Sequence, residues 1–277
     1  MKFFGNHKRV SNNWGGTGTA NSNNAYPYTN PAPFHVPEGG EEEGRPRARS
    51  IVRDVHNTAD GDPAIAELVF ILDRSGSMSG MEDDTVGGMN AVLEQHKQLE
   101  GQAQVSVVLF DHETQVLYDR EDILDVRPLT RDDYQVRGCT ALLDAVGGSI
   151  RHINRVQGYL PKQYRAGKVI FVITTDGYEN ASNRYSYQQV KEAVQRCTDA
   201  GWEFLFLGAN IDAAAEAAKL GIQEDRAATY YADSCGSQAM HEAISAASVS
   251  MRCACPSEAR MGDSWRSAID RDAARRK

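Results

Sequence analysis

Residues 68–78 read LVFILDRSGSM, an apolar run that ends abruptly in a carboxylate and two hydroxyls at alternate positions. The run Leu68–Leu72 is short, continuous and rich in branched and aromatic side chains, which is typical of a parallel strand buried on both faces. Asp73 then lies at its carboxyl end, the edge of an open α/β sheet where ligands bind. With Ser75 and Ser77 it offers only oxygen donors, which suit Mg²⁺, Mn²⁺ or Ca²⁺ better than zinc or copper. The stretch therefore predicts a divalent-metal site at a strand end.

Asp73-x-Ser75-x-Ser77 resembles the metal-ion-dependent adhesion site (MIDAS) of von Willebrand factor A (vWA) domains. Two further pieces of that family's site follow in the expected order. Residues 137–145 resemble its threonine loop running into a helix, and residues 169–177 resemble its fourth strand, which ends in an aspartate. The resemblance covers residues 64–252. It implies five metal-site residues, namely Asp73, Ser75, Ser77, Thr140 and Asp176.

The resemblance also implies how these groups share the ion. In the family, hydroxyls contact the metal directly and aspartates often act through ordered water. Carried over, Ser75, Ser77 and Thr140 would be direct ligands, whereas Asp73 and Asp176 would bind directly or through water. Mg²⁺ is the expected ion, with Mn²⁺ or Ca²⁺ as alternatives.

Strand and helix patterns alternate from Glu67 onward, which is typical of a doubly wound α/β fold. We expect a mostly parallel six-stranded sheet flanked by helices, the Rossmann-like vWA fold. The related domains place a short antiparallel edge strand where residues 115–118 lie. Predicted strands are 68–72, 105–110, 115–118, 169–175, 202–208 and 227–231, and predicted helices are 86–99, 141–156, 187–200, 213–220 and 238–251. Gly201 is predicted to end a helix in the left-handed conformation, and Asp212 to cap the start of the next.

The 277 residues, 41% of them hydrophobic, are enough for one sizeable core. Residues 1–60 contain few aliphatic side chains and several Gly, Pro and Asn clusters, so we expect a disordered N-terminal arm. The vWA domain is predicted to span residues 64–252. Residues 253–277 are predicted to be a short charged C-terminal tail.

Charge and cysteine content restrict the expected partners and cellular location of the protein. A formal charge of −8 argues against a nucleic-acid partner, because phosphate binding requires a basic surface. No secretory signal and no apolar run long enough to span a bilayer is visible, so no membrane partner is expected. The five cysteines are odd in number and lack disulfide or zinc spacing. We expect a cytoplasmic protein, similar to the intracellular bacterial or phage vWA type.

Three functions remain open from the sequence. The resemblance favours a metal-dependent protein–protein interaction module that binds an acidic group of a partner through the cation. An alternative is a regulatory or assembly subunit of an AAA-type ATPase complex. A Mg²⁺-dependent phosphoryl-transfer enzyme is the third. Haloacid-dehalogenase-like phosphatases need a second aspartate two residues after the first, and Ser75 stands there, so we expect no enzyme activity.

Two further aspartates lie near the predicted site. Asp144 follows Thr140 by one helical turn and is either an orienting group for the threonine loop or an ordinary polar helix residue. Asp111 ends a predicted strand, but a hairpin turn favours aspartate for local reasons. We leave Asp111 out of the ligand set.

Overall fold

The buried run of the sequence forms the central strand of a six-stranded sheet. The computed structural model describes residues 50–254 and 262–276. Its strands are β1 (Asp62–Asp73), β2 (Gln102–Phe110), β3 (Thr114–Asp122), β4 (Ala166–Thr175), β5 (Glu203–Ala209) and β6 (Ala227–Tyr230). They are ordered β3-β2-β1-β4-β5-β6. Only β3 is antiparallel to its neighbour. The predicted fold class is therefore confirmed, including the antiparallel edge strand.

Helices cover both faces of the sheet, as the apolar content of both faces of β1 requires. They are α1 (Glu82–Lys97), α2 (Leu142–Tyr159), α3 (Tyr187–Asp199), α4 (Ala213–Leu220), α5 (Ser234–Cys253) and α6 (Ser267–Arg275). One core contains Phe70 of β1 with side chains of α1, α5 and α6. The other contains Ile71 with side chains of α2, α3 and α4. Alternate residues of β1 thus supply both cores.

The predicted helix boundaries agree with the structure best where a capping residue marks them. Gly201 has a φ of +88°, the left-handed conformation expected after α3. The Asp212 carboxylate accepts a hydrogen bond from Ala215 N (3.0 Å) at the start of α4. By contrast, α1 begins four residues before the predicted start, with its three acidic residues 82–84 in the first turn. There the helix dipole favours negative charge.

Ordered structure extends beyond residues 64–252 at both ends. On the amino-terminal side, Val52 is buried. His56 N donates to Asn154 Oδ1 (3.0 Å), and Trp202 Nε1 donates to His56 O (2.9 Å). On the carboxyl side, part of the predicted tail forms α6. Residues 1–49 of the predicted arm lie outside the described residues.

Tryptophan 265 anchors the carboxyl-terminal segment to the domain. Its side chain is 3% exposed, and its Nε1 donates to Asp225 O (3.1 Å). Ile269, one turn into α6, is also buried in the core that contains Met240 of α5. Of the helices described, none is long and apolar enough to cross a membrane.

We expect Trp265→Ala to destabilise the domain by about 3–5 kcal/mol, because it removes a fully packed indole and leaves a cavity. Urea unfolding followed by circular dichroism measures this. Arg271→Ala, whose side chain is 64% exposed, is the control and should change stability by less than about 0.5 kcal/mol. Equal stability of the two variants would show that α6 is not part of the cooperative unit.

Candidate metal centre

The five predicted site residues meet at the carboxyl edge of the sheet. Asp73 ends β1, Asp176 follows β4, and Thr140 lies two residues before α2. Since β1 and β4 are adjacent and parallel, their carboxyl ends lie side by side. The sequence prediction that these residues lie together agrees with the structure. Their role as metal ligands stays a prediction.

The Asp73 carboxylate links the two central strands. Its Oδ1 accepts from Ser75 N (2.7 Å), and its Oδ2 accepts from the Thr175 hydroxyl of β4 (2.6 Å). The residue is 1% exposed. Burial raises the pKa of Asp73 to about 6; the hydrogen bonds from Thr175 and Ser75 offset part of this effect, and the charge of Asp176 adds to it. At neutral pH a carboxyl group with this pKa is ionised. Its hydrogen bonds do not fully offset the free-energy cost of burying the negative charge.

The two serine hydroxyls lie between Asp73 and Asp176. Ser75 Oγ is 3.1 Å from Ser77 Oγ, and the Ser77 hydroxyl donates to Asp176 Oδ1 (2.6 Å). Burial raises the pKa of Asp176, and the hydrogen bond from Ser77 opposes that shift. Because Ser77 uses its proton on Asp176, the Ser75 hydroxyl is the donor to Ser77 Oγ, and the second lone pair of Ser77 Oγ remains available to a cation.

Gly177 leaves a small space between the Thr140 hydroxyl and the Ser77 hydroxyl. A Cβ atom at this position would lie 3.3 Å from Thr140 Oγ1 and 3.8 Å from Ser77 Oγ. The Thr140 hydroxyl therefore faces the same small space as the Ser77 hydroxyl. A side chain at residue 177 would fill part of that space.

The loop that follows β4 holds the threonine loop in position. Thr140 N donates to Asn180 Oδ1 (2.9 Å), and Thr140 O accepts from Asn180 N (3.0 Å). Glu179 Oε2 accepts from Leu143 N (2.9 Å), one of the free amides at the start of α2. Asp144, which the sequence left open, accepts from the amides of residues 183–185. Asp144 therefore holds the loop after β4 in place. It forms no hydrogen bond with Thr140 among the described residues.

The buried carboxylate of Asp111, at the end of β2, joins the loop after β1 to the threonine loop. Asp111 is fully buried; its Oδ2 accepts from Arg74 Nε and from Arg137 Nε, both at 2.8 Å. Asp111 O also accepts from Ala141 N (2.8 Å), and its Oδ1 accepts from Glu113 N (2.8 Å) as in a local turn. Burial alone would raise the pKa of Asp111, but these hydrogen bonds and the two arginine charges lower it below its usual value. Asp111 thus ties the loop after β1, which contains Arg74, to the threonine loop, which contains Arg137.

Asp111, His112 and Glu113 form a second cluster of metal-ligand types, with ligand atoms within 4.8 Å of one another. Arg137 contacts both Asp111 and Glu113 at 2.8 Å, and Arg74 also contacts Asp111. Two guanidinium groups already compensate the carboxylates and would repel a cation. This cluster is an ion-pair network that braces the loops.

The donor set at the sheet edge fits a small divalent cation. The two serine oxygens are 3.1 Å apart, a hydrogen-bond distance that also allows both to contact one small ion. The carboxylates of Asp73, which is buried, and Asp176, which is partly buried, lie beside three neutral hydroxyls. A cation at this place would stabilise their negative charge.

No protein-family model matches the sequence, and no curated protein matches it. Among solved structures, it is similar to proximal thread matrix protein 1 from the mussel byssus with a zinc-occupied MIDAS motif. That likeness has 16% identity and a TM-score of 0.47 and covers 65% of this chain and 44% of the other. A von Willebrand factor type A protein from Catenulispora acidiphila has 15% identity, a TM-score of 0.45 and coverages of 65% and 41%.

Manganese-loaded TRAP protein from Plasmodium vivax is a third similar structure, with 13% identity and a TM-score of 0.45. The match covers 61% of this chain and 69% of the TRAP protein. The chain spans less than half the length of the mussel structures that it matches. The sheet order and the strand-end motif decide the fold. The chain has a von Willebrand factor A fold. In this domain the predicted site residues occupy the carboxyl edge of the sheet.

Several residues that shape the candidate site were not predicted from the sequence. Asn180, Glu179 and Thr175 act through hydrogen bonds to distant segments, and no spacing rule identifies them. Asp111 was predicted to serve its own turn, which it does through Glu113 N. Its bonds to Arg74 and Arg137 cross 37 and 26 residues of chain and are visible only in the fold.

We expect Asp73→Asn to stabilise the metal-free protein at about pH 7.5 by roughly 1–3 kcal/mol. The raised pKa of Asp73 means that folding takes up a proton. Its contribution to stability is therefore complete below its ordinary pKa of 3.8 and is lost as the pH rises through about 6. The asparagine amide can donate to Thr175 Oγ1, since that hydroxyl has Gly177 O as another acceptor (3.0 Å).

Urea unfolding in a chelator, at several pH values, measures the difference between Asp73→Asn and the wild type. The difference should shrink towards about pH 4. Asp125→Asn, which removes an exposed carboxylate far from the site in sequence, is the control. An Asp73→Asn protein that is less stable than the wild type at every pH would contradict the account of Asp73.

Asp111→Asn is expected to cost about 3 kcal/mol, because it leaves the buried Arg74 guanidinium without its carboxylate. Glu113→Gln removes an exposed partner of the same network and should cost less than about 1 kcal/mol. Chemical unfolding of the two variants separates these outcomes. Similar small losses for both would mean that Asp111 does not brace the loops.

Proposed function

We propose that this vWA domain is a metal-dependent protein-interaction module. A divalent cation bound by Asp73, Ser75, Ser77, Thr140 and Asp176 would receive an acidic side chain from a partner protein. The observation that carries the proposal is the convergence of hydroxyl oxygens at the sheet edge, with the Ser77 proton directed to Asp176 (2.6 Å). This arrangement leaves hydroxyl lone pairs for the ion and places the carboxylate behind them.

Mg²⁺ is the ion that we infer. The candidate ligands are all hard oxygen donors, which Mg²⁺ prefers, and they are few enough for the ion to keep several waters. Mn²⁺ accepts the same oxygen ligands and geometry and is the nearest substitute. The hydrogen-bonded loops support this preference, because they oppose the expansion that a larger ion requires.

Charge balance explains why such a site would attract an acidic partner. The three hydroxyls are neutral, and the Asp73 oxygens already accept bonds from Ser75 N and Thr175. A bound cation would therefore keep much of its positive charge. Ser77 and its neighbour Gly76 are exposed, so a carboxylate of another molecule could approach from solvent.

The same hydrogen bonds argue against phosphoryl transfer. A nucleophilic aspartate needs an oxygen that is free to attack phosphorus. Both Asp73 oxygens accept hydrogen bonds, and the residue is 1% exposed. We therefore propose binding without catalysis. The identity of the partner, an AAA-type ATPase or another protein, and the cytoplasmic location stay predictions from the sequence.

We expect Mg²⁺ to stabilise the chelator-treated wild type by about 2.7 kcal/mol when its concentration is 100 times the dissociation constant. Ser75→Ala, Thr140→Ala and Asp176→Ala should each weaken Mg²⁺ binding at least about 10-fold. Isothermal titration calorimetry and thermal unfolding measure both effects. Thr198→Ala, an exposed threonine of α3, is the control. Unchanged affinity in all three site variants would refute this ligand set.

Selection of short peptides on the Mg²⁺-loaded protein tests the acidic-partner part of the proposal. Enriched peptides should contain an Asp or Glu whose replacement by the amide abolishes binding. Binding should also be lost in chelator and in Asp73→Asn. Peptides that bind equally well without metal would contradict the proposal even if Mg²⁺ itself binds.

A further inference from the structure

A cavity lies at the amino edge of the sheet, at the opposite end of β1 from the candidate metal centre. Its volume is about 350 Å³, and residues of β1, of β4 and of the end of α5 line it. Ala66 of β1 pairs with Lys168 of β4, so their side chains point to the same face of the sheet. A cavity of this size can hold a small organic molecule.

A buried arginine forms part of the cavity wall. Arg252, in the last turn of α5, lines the cavity and is 5% exposed. Its Nη1 donates to His96 O (2.7 Å) and lies 3.4 Å from His96 Nδ1, and its Nη2 donates to Gly101 O (2.8 Å). These contacts use three of the five guanidinium N–H groups. Nε–H and one Nη2–H have no acceptor among the residues that the structure describes.

Lys168 adds a second positive charge beside Arg252. Its side chain is partly exposed, and its Nζ donates one proton to Arg252 O. In the described part of the chain, neither of these two cations forms an ion pair. Arg74, which is also buried, pairs with the Asp111 carboxylate at 2.8 Å. Arg252 therefore lacks the anionic partner that a buried arginine usually has.

The helix dipole explains the position of Arg252 but not its burial. A cation in the last turn of a helix is favourable, yet an exposed side chain would serve that purpose equally well. The carbonyl groups that Arg252 contacts carry no net charge. Burial lowers the pKa of Arg252, and the nearby Cys253 thiol and Asp122 carboxylate offset this effect only in part. An anion in the cavity would stabilise the buried positive charge.

We propose that this cavity binds a small organic carboxylate. Arg252 and Lys168 each have two N–H groups that no described residue accepts, and cationic donors of this kind form strong hydrogen bonds with a carboxylate. The hydrocarbon part of the ligand would contact the apolar residues that line the cavity, which are Pro63, Ala64 and Ala66.

The charge around the cavity favours a carboxylate over a phosphate. Glu100 is exposed and also lines the cavity. Its carboxylate would repel a doubly charged phosphate about twice as strongly as a singly charged carboxylate. The partial negative charge at the carboxyl end of α5 acts in the same direction. A monoanion with an apolar body is therefore the ligand class.

The cavity is remote from the metal centre. Ala66 lies seven residues before Asp73 on the same strand, which separates them by about 23 Å. Carboxylate binding in the cavity should therefore not require a metal ion. The inference does not rest on the proposed metal-dependent function, and each can fail alone.

Protection of Cys253 from alkylation tests the occupancy of the cavity without any substitution. Cys253 lines the cavity and is exposed, as are Cys139 and Cys235, which serve as internal controls. Hexanoate at ten times its dissociation constant should slow the reaction of Cys253 with iodoacetamide about 10-fold and leave the two controls unchanged. Hexanamide, which has the same chain without the charge, should not protect it. Fragment-ion mass spectrometry resolves the individual cysteines.

Substitutions of exposed and partly exposed residues test the contribution of charge. Lys168→Gln should weaken hexanoate binding at least about 10-fold, because a hydrogen bond to a charged group is lost. Lys97→Gln is the matched control, since Lys97 is also partly exposed and its Nζ also donates to a backbone carbonyl, Val126 O (2.9 Å). It should leave the affinity within about twofold. Glu100→Gln should strengthen binding, because it removes a repelling charge.

The length of the ligand and the metal-site variant complete the test. Butyrate should bind more weakly than hexanoate, by up to about fourfold for each methylene removed. Asp73→Asn should bind hexanoate as the wild type does. The proposal is overturned if hexanoate does not protect Cys253, if hexanamide protects it equally, or if the Lys97 and Lys168 variants lose the same affinity. Stronger protection by inorganic phosphate than by hexanoate would also overturn it, in favour of a phosphate site.

Discussion

The carboxylate of Asp73 sits buried at the end of the central strand, and the rest of the site is arranged around the cost of burying it. A buried ionised carboxylate is unfavourable unless hydrogen bonds or a cation compensate it. Here Ser75 N and the Thr175 hydroxyl supply two bonds, one from the loop after β1 and one from β4. They join the two central strands and still leave the pKa of Asp73 raised to about 6. A bound cation would supply the compensation that remains missing.

The surrounding loops restrict where such a cation could lie. Asp111 links Arg74 of the loop after β1 to Arg137 of the threonine loop, and Asn180 fixes the backbone of Thr140. These contacts connect three loops through groups that are mostly buried. Hydrogen bonds to neighbouring loops hold these oxygens in place, and a site pre-organised in this way would favour one ion size over another. The proposed preference for Mg²⁺ and the network around Asp111 would then follow from the same packing.

Local sequence patterns predicted those parts of the fold whose causes are local. The continuous apolar run 68–72 predicted a buried strand, and Gly201 and Asp212 predicted helix ends, because each acts within a few residues. Residues 50–60 and α6 were missed, since their few apolar residues, Val52 and Trp265 among them, stand in largely polar segments and acquire partners only through the fold. The same holds at the site. The resemblance predicted five residues that the structure brings together at the sheet edge. Glu179 and Asn180 act across long sequence separations and carry no sequence pattern, and Asp111, noted at a predicted strand end, was assigned only to its own turn.

The central claim is that hydroxyl oxygens at the sheet edge hold a divalent ion, and its location is the most direct test. A crystal of the protein soaked in Mn²⁺ gives an anomalous difference peak at the ion. The account predicts one strong peak about 2.1 Å from the hydroxyls of Ser75, Ser77 and Thr140. A peak at Asp111, His112 and Glu113, or none at the sheet edge while Mn²⁺ is present at saturating concentration, would contradict it.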